Sequence, residues 1–218
     1  MQPDAVVFDL DGTLAHTAAD IREALNAVLG CEQLPAVDID AVQRMIGGGP
    51  EELVRRALHA FNASAGDERV KRLTKKLRER FGTQGNRLSH LLPGAQQCLD
   101  YLSGLRISIG LCSNKPEANC TQLLEDLNIR QYFDVVQGSG SGLPLKPDPT
   151  ALLATVKRLG AQQVLYVGDS ATDVATANAA GVPVALVRGG YCTEAPEFLD
   201  ADWILDELSQ LPTIWHSN

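Results

Sequence analysis

Apolar positions along this chain fall into two regimes. From Thr17 to about Leu88 they recur with a helical period. Ile21, Leu25, Val28 and Leu29 form one stripe, Leu53, Val54, Leu58 and Phe61 a second, and Val70, Leu73, Leu77 and Phe81 a third. That three-to-four-residue spacing puts side chains on one helix face. Gly47-Gly48-Gly49-Pro50 lies between the first two stripes, with Pro50 suited to the first turn of the helix that follows. The stretch predicts several helices and no strand. Elsewhere the apolar residues come in short runs: Ala5–Phe8, Ile107–Cys112, Phe133–Val136, Val164–Val167, Val182–Val187 and the brief Trp203-Ile204-Leu205. Such runs, bounded by turn formers and rich in β-branched residues, read as buried strands. Helical patterns from about Glu117 to Leu127, Ala151 to Leu159 and Thr172 to Ala180 separate them.

Strands alternating with helical crossovers predict an α/β fold, a doubly wound parallel sheet with a Rossmann-like core. The chain divides into that core, about 1–15 plus 90–218, and a helical insert of about 16–89. Because the insert follows the first strand directly, it is expected to lie over that strand's carboxyl end.

Composition narrows the function classes. The 218 residues carry 19 basic and 27 acidic side chains, a formal charge of −8, which argues against a nucleic-acid binder. The basic run from Arg69 to Arg80 reads as a solvated helix face. No segment approaches the roughly 20 apolar residues of a membrane span, and Met1-Gln2-Pro3-Asp4 does not open a secretion signal. Five cysteines without CxxC pairing (Cys31, Cys98, Cys112, Cys120, Cys192) suit buried free thiols in a reducing, cytoplasmic setting. His16, His59, His90 and His216 lack ligand-like spacing, so no zinc site is expected, and His16 is taken as a solvent-facing loop residue. Monomer and dimer both remain open.

Four polar clusters each follow an apolar run: Asp9-Leu10-Asp11-Gly12-Thr13, Ser113-Asn114-Lys115, Lys146-Pro147, and Gly168-Asp169-Ser170 with Asp173. Loops at the carboxyl ends of parallel strands gather at one edge of the sheet, where ligands bind, so the four clusters are expected to share one pocket. Asp9, Asp11, Asp169 and Asp173 bring up to four negative charges against the single positive charge of Lys146. A pair of like charges about 4 Å apart costs about 4 kcal/mol at an effective dielectric of 20. Oxygen-only ligands then point to a hard divalent cation, Mg2+. Ser113, the backbone amides of a helix opening after it, and Lys146 suit the oxygens of a phosphoryl group. Asp9 can act as nucleophile and Asp11 as acid and base. Thr13 can bond near the phosphate. The expected phosphate-binding set is Thr13, Ser113, Asn114 and Lys146; the expected metal set is Asp9, Asp11, Asp169 and Asp173.

These residues carry a resemblance. Asp9-Leu10-Asp11-Gly12-Thr13-Leu14, Ser113-Asn114-Lys115, Lys146-Pro147 and Gly168-Asp169-Ser170-Ala171-Thr172-Asp173 resemble, in order, the four motifs of the haloacid dehalogenase superfamily. The insert resembles that family's α-helical cap. The resemblance implies Asp9 as nucleophile and metal ligand, Asp11 as acid/base and main-chain metal ligand, Asp169 as metal ligand, and Asp173 as support for the metal or its waters. Asp11 further implies a phosphatase or phosphomutase. Ala18-Ala19-Asp20-Ile21 with Ala24, Asn26 and Leu29, then Ile46-Gly47-Gly48-Gly49 and Leu53, resemble the phosphoglycolate phosphatase subgroup. Ala15-His16-Thr17 stands where that subgroup has an apolar residue, Asp and Ser.

The resemblance implies Mg2+-dependent hydrolysis of a small phosphorylated metabolite, 2-phosphoglycolate first, through an aspartyl phosphate. A β-phosphoglucomutase-like phosphotransferase, a phosphatase for another sugar phosphate and a non-catalytic response domain phosphorylated on aspartate are the alternatives. Gly47–Gly49 is either a plain connector or a loop closing on substrate. Arg44, Arg55 and Arg56 are the candidate partners for a substrate carboxylate.

Overall fold

A computed structural model describes residues 2–216, the His216 side chain excepted. Met1 of the N-terminal reading and the side chain of His216 therefore lie outside the described residues. In chain order the elements are β1 (Ala5–Phe8), β2 (Ala15–His16), α1 (Ala18–Cys31), α2 (Ile39–Met45), α3 (Gly49–Ala60), α4 (Asp67–Gln84), β3 (His90–Leu91), α5 (Ala95–Gly104), β4 (Ser108–Pro116) and α6 (Glu117–Asp126). There follow β5 (Val135–Ser139), α7 (Thr150–Leu159), β6 (Val164–Gly168), α8 (Ala171–Ala180), β7 (Val184–Val187), β8 (Trp203–Leu205) and the short α9 (Thr213–His216).

The main sheet has the order β5-β4-β1-β6-β7-β8, and every pairing in it is parallel. Parallel strands need crossovers, and the helices that supply them cover both faces, which is why the strand runs are apolar throughout. Strand side chains alternate faces. In β1, Val6 and Phe8 join Leu99, Leu111 and Leu123 in one apolar cluster, while Ala5 and Val7 join Leu152, Tyr166 and Val174 in another. Strand β1 is wholly buried within the sheet, paired on both sides, so Asp9 emerges from a strand fixed by two neighbours.

Helices α1 to α4 bury their stripes against one another. Leu25, Leu29, Leu58, Leu73 and Leu77 are fully buried in an apolar cluster distinct from the two on the sheet. The chain enters and leaves this segment through a two-residue antiparallel ribbon, Ala15 opposite Leu91 and His16 opposite His90. Above the ribbon, the buried Asp20 accepts from the Leu88 amide and, at 2.6 Å, from the Ser89 hydroxyl.

The expected elements are present, with displaced edges and additions. Strand β4 runs on to Pro116, past the apolar run, because Ser113–Lys115 stay extended to reach the sheet edge. The helix that follows starts at Glu117, where the sequence pattern places it. The ribbon β2–β3, α2 and α5 had no counterpart in the sequence reading. Cys98, Cys112 and Cys120 are buried, but Cys31 is exposed at the end of α1 and Cys192 half-buried, so not every thiol is a core residue. Among the described residues no helix is long and apolar enough to cross a membrane.

Candidate active site

The carboxyl ends of β1, β4 and β6 and helices α1, α3 and α4 enclose one cavity. Its core-side lining includes Asp9, Asp11, Ser113, Lys115, Lys146 and Asp169; its helical wall is Ile21, Ile46, Pro50, Leu53 and Phe81. Asp9 is held by its own amide, which donates to Val167 O at 2.9 Å. Gly12, at φ +92°, turns the chain back after Asp11, and a Cβ there would sit 2.4 Å from Asp169 Oδ2. Only glycine admits both the conformation and that approach.

Lys146 ties the site together. Its peptide bond to Pro147 is cis, and its side chain is 3% exposed. Nζ donates to Asp9 Oδ1 at 2.8 Å, Asp173 Oδ1 at 2.7 Å and the Tyr166 hydroxyl at 2.9 Å. Asp9 Oδ2 has no hydrogen-bond partner among the described residues. Asp173 is saturated: Oδ1 accepts from Lys146 and Tyr166, and Oδ2 from the amides of Asp169 and Ser170 and from the Ser170 hydroxyl. These last contacts form the capping box that starts α8. Asp169 accepts from the Thr13 hydroxyl at 2.9 Å and from the Tyr191 amide at 2.6 Å.

Burial and charge set the protonation pattern. Burial pushes Asp9 up to about 6 although Lys146 opposes it. Burial, then the charges of Asp173 and Asp9, raises Asp169 well above the carboxylate range. Asp173 stays below that range: burial works against its charge, but Lys146 and the hydrogen bonds outweigh it. Three carboxylates line the cavity and the buried Asp173 stands behind them, against the two ammonium groups of Lys115 and Lys146, so positive charge is short. Asp9, Asp169 and Asp173 each offer an oxygen within 4.8 Å of the others. A hard, oxygen-seeking cation fits this set. Asp9 keeps one oxygen unbonded among the described residues and Asp169 accepts one bond on each oxygen, so both have lone pairs to give, whereas Asp173 accepts five bonds and is suited to backing them.

The other predicted residues fall into distinct positions. Ser113 is buried and faces the cavity, its Oγ accepting from the Lys115 amide at 3.4 Å. Thr13 is fully buried and spends its hydroxyl on Asp169. The Asn114 amide is committed to main chain: Oδ1 accepts from Lys146 N at 2.8 Å, and Nδ2 donates to Lys146 O and to Gly47 O, both at 3.0 Å. Asn114 thus joins the lysine loop to the glycine turn of the helical segment. At Gly49, φ +82°, a Cβ would come within 3.3 Å of Asn114 O, so the turn sits directly on the core.

Three expectations are overturned. Arg55 bonds Ala65 O and pairs with Glu51 and Asp67, while Arg56 pairs with Glu52 and donates to Met45 O and Ile46 O. Neither they nor Arg44 line the cavity. Lys146 is not the site's single cation, since Lys115 Nζ lies 3.0 and 3.2 Å from the two oxygens of Asp11. His16 is not a free loop residue: half-buried in the ribbon, it stacks on the exposed His90 at 5.2 Å, meets Tyr191 edge-on and lies 3.4 Å from Gln43 Nε2.

Lys115, Tyr166 and Tyr191 are site residues whose roles sequence reasoning missed. Lys115 stood in a quoted motif without a role. Tyr166 lies inside an apolar strand and reads as core. The Tyr191 hydroxyl accepts from the Thr17 and Ala18 amides at the start of α1, and only the preceding Gly189-Gly190 hinted at a close approach.

Comparison with known proteins follows the same lines. A family profile described as haloacid dehalogenase-like hydrolase matches residues 6–187. The chain is 39% identical to a phosphoglycolate phosphatase of Rhodospirillum rubrum, over 96% of this chain and 89% of that one. It is 38% identical to the plasmid phosphoglycolate phosphatase of Cupriavidus necator, over 96% and 92%. The crystal structure of a predicted phosphoglycolate phosphatase from Haemophilus somnus superposes with a TM-score of 0.90 at 26% identity, covering 99% of both chains.

Proposed function

We propose, from the premise that this chain belongs to the haloacid dehalogenase-like hydrolase family and is a phosphoric monoester hydrolase, that it hydrolyses 2-phosphoglycolate through an aspartyl phosphate on Asp9. The observation that carries this reading is the pairing of Asp9 and Asp11 at one cavity, with Asp9 Oδ2 left unbonded.

Lys146 holds Asp9 through Oδ1 and so aims the free Oδ2 as the attacking atom. Bond formation to phosphorus releases the alcohol, whose oxygen takes a proton from Asp11. Asp11 then takes a proton from water, which attacks the phosphorus and returns Asp9 as a carboxylate. Ser113 is the hydroxyl for the transferring oxygens, and Lys146, its donors given to Asp9, Asp173 and Tyr166, adds positive charge beside them. Asp9 and Asp169, with Asp173 behind them and, on the family resemblance, the main-chain carbonyl of Asp11, would hold Mg2+. When bound it supplies the positive charge that the carboxylates lack and that an anionic ester needs.

Helices α1 to α4 act in this reading as a cap that excludes water and closes over the leaving group. Their wall favours a short substrate. A hexose phosphate needs hydrogen-bond partners for its hydroxyls, and Ile21, Ile46, Leu53 and Phe81 provide none.

The test is phosphate release from a panel of phosphorylated metabolites with Mg2+, together with rapid acid quench. Fastest turnover of 2-phosphoglycolate and a phosphoenzyme mapped to Asp9 are expected. A preference for hexose phosphates, or phosphoryl groups mapped elsewhere, refutes the reading.

A further inference from the structure

We propose that Lys115 is the specificity-determining cation of this site, the group that takes the carboxylate of the substrate's leaving group. The inference rests on the phosphoglycolate reading and assigns the one contact that reading leaves open.

A carboxylate brought against an apolar wall needs a charged or hydrogen-bonding partner. Among the described residues, the cations lining the cavity are Lys115 and Lys146. An ammonium has three donors, and Lys146 gives them to Asp9, Asp173 and Tyr166. Arg55 and Arg56 are tied to acids and carbonyls of their own segment. Lys115 differs. Two donors reach the Asp11 oxygens, and the third has no acceptor among the described residues. The side chain is 9% exposed, and Nζ lies 5.7 Å from the centre of the Phe81 ring on α4. This ammonium is thus positioned between the core and the helical wall, desolvated and with donor capacity left.

The location suits the chemistry. Asp11 protonates the leaving oxygen, so the leaving group must extend past Asp11. In 2-phosphoglycolate a single methylene separates that oxygen from the carboxylate. A group on Asp11 is therefore within reach of the carboxylate, where Arg44, Arg55 and Arg56 are not. The Phe81 ring backs the ammonium at 5.7 Å.

The test compares 2-phosphoglycolate with ethyl phosphate, which replaces the carboxylate by a methyl group, in the wild type, Lys115→Met and Lys115→Arg. Melting curves in Mg2+ establish that each variant folds. Lys115→Met is expected to lower the preference for 2-phosphoglycolate about 10- to 100-fold, the range for a charge-assisted hydrogen bond. The change should fall mainly on KM, and Lys115→Arg should keep more of the preference. If Lys115→Met costs both substrates equally, the residue only holds Asp11 and the assignment is overturned. A wild type that already treats the two esters alike overturns the phosphoglycolate reading itself.

Discussion

Asp9→Asn should yield a protein that is more stable without metal and almost inactive. Burial lifts Asp9 from an ordinary 3.8 to about 6. At about 1.4 kcal/mol per pH unit, that gap corresponds to about 3 kcal/mol by which ionising Asp9 destabilises the folded state. The sign follows from proton binding. Between 3.8 and about 6 the folded state binds more protons at Asp9 than the unfolded state. Stability therefore falls as pH rises through that window, and the full penalty stands above it. Asparagine keeps the shape, offers Lys146 an oxygen and carries no charge. In chelator near pH 7.5 the variant should gain up to about 3 kcal/mol, or about 6–12 °C in melting temperature for a chain of this size. The gain should vanish near pH 4 and below, and Mg2+ should shrink it by stabilising the wild type. Urea and thermal unfolding at both pH values, with and without Mg2+, measure this; turnover should drop by several orders of magnitude. A variant no more stable than wild type near pH 7.5 in chelator, or a gain equally large at pH 4, refutes the reasoning.

Other expectations can be checked alongside it. Asp11→Asn should slow hydrolysis of the aspartyl phosphate more than its formation from an activated aryl phosphate, so rapid quench should trap phosphoenzyme; equal slowing with good and poor leaving groups would count against Asp11 as acid and base. Mg2+ should activate and Ca2+ compete, because Ca2+ takes longer bonds and more ligands; full turnover in Ca2+ or in excess chelator would sink the metal assignment. Arg56→Ala should leave KM for 2-phosphoglycolate within about twofold, since its guanidinium is paired with Glu52 and does not line the cavity; a tenfold rise would restore the arginine as substrate partner.

The legible and illegible parts of the molecule separate on physical grounds. Strands buried on both faces must be apolar throughout, so β1 and β6 are visible as runs. A two-residue ribbon such as β2–β3 is too short to carry any period. Helix α5 was within reach, with Ala95, Cys98, Leu99 and Leu102 buried at helical spacing. Helix α2 offered a subtler cue, its Asp38 cap accepting from Ala41 N at 2.7 Å. In the site, Asp9, Asp11, Lys146 and Asp169 were readable because charged residues at strand ends need a reason to be there. Tyr166 was not, since a hydroxyl inside an apolar strand looks like packing until its partners are known. The arginines carried their own warning: Glu51–Arg55 and Glu52–Arg56 are spaced to pair along one helix face.

The ribbon also bears on how such a chain can change over generations. Ala15 and Leu91 face each other across an antiparallel pair, so the chain leaves the sheet and returns at nearly the same point. An antiparallel pair of strands is ordinarily closed by as few as two residues. Whatever lies between the two ends can therefore lengthen, shorten or be exchanged without altering a strand register in the main sheet. The reacting carboxylates and Lys146 all stand on the sheet's own loops, whereas the apolar wall over them comes from the detour. Inheritance of the reaction and variation of the apolar wall are thus assigned to separate stretches of sequence, joined by two pairs of residues.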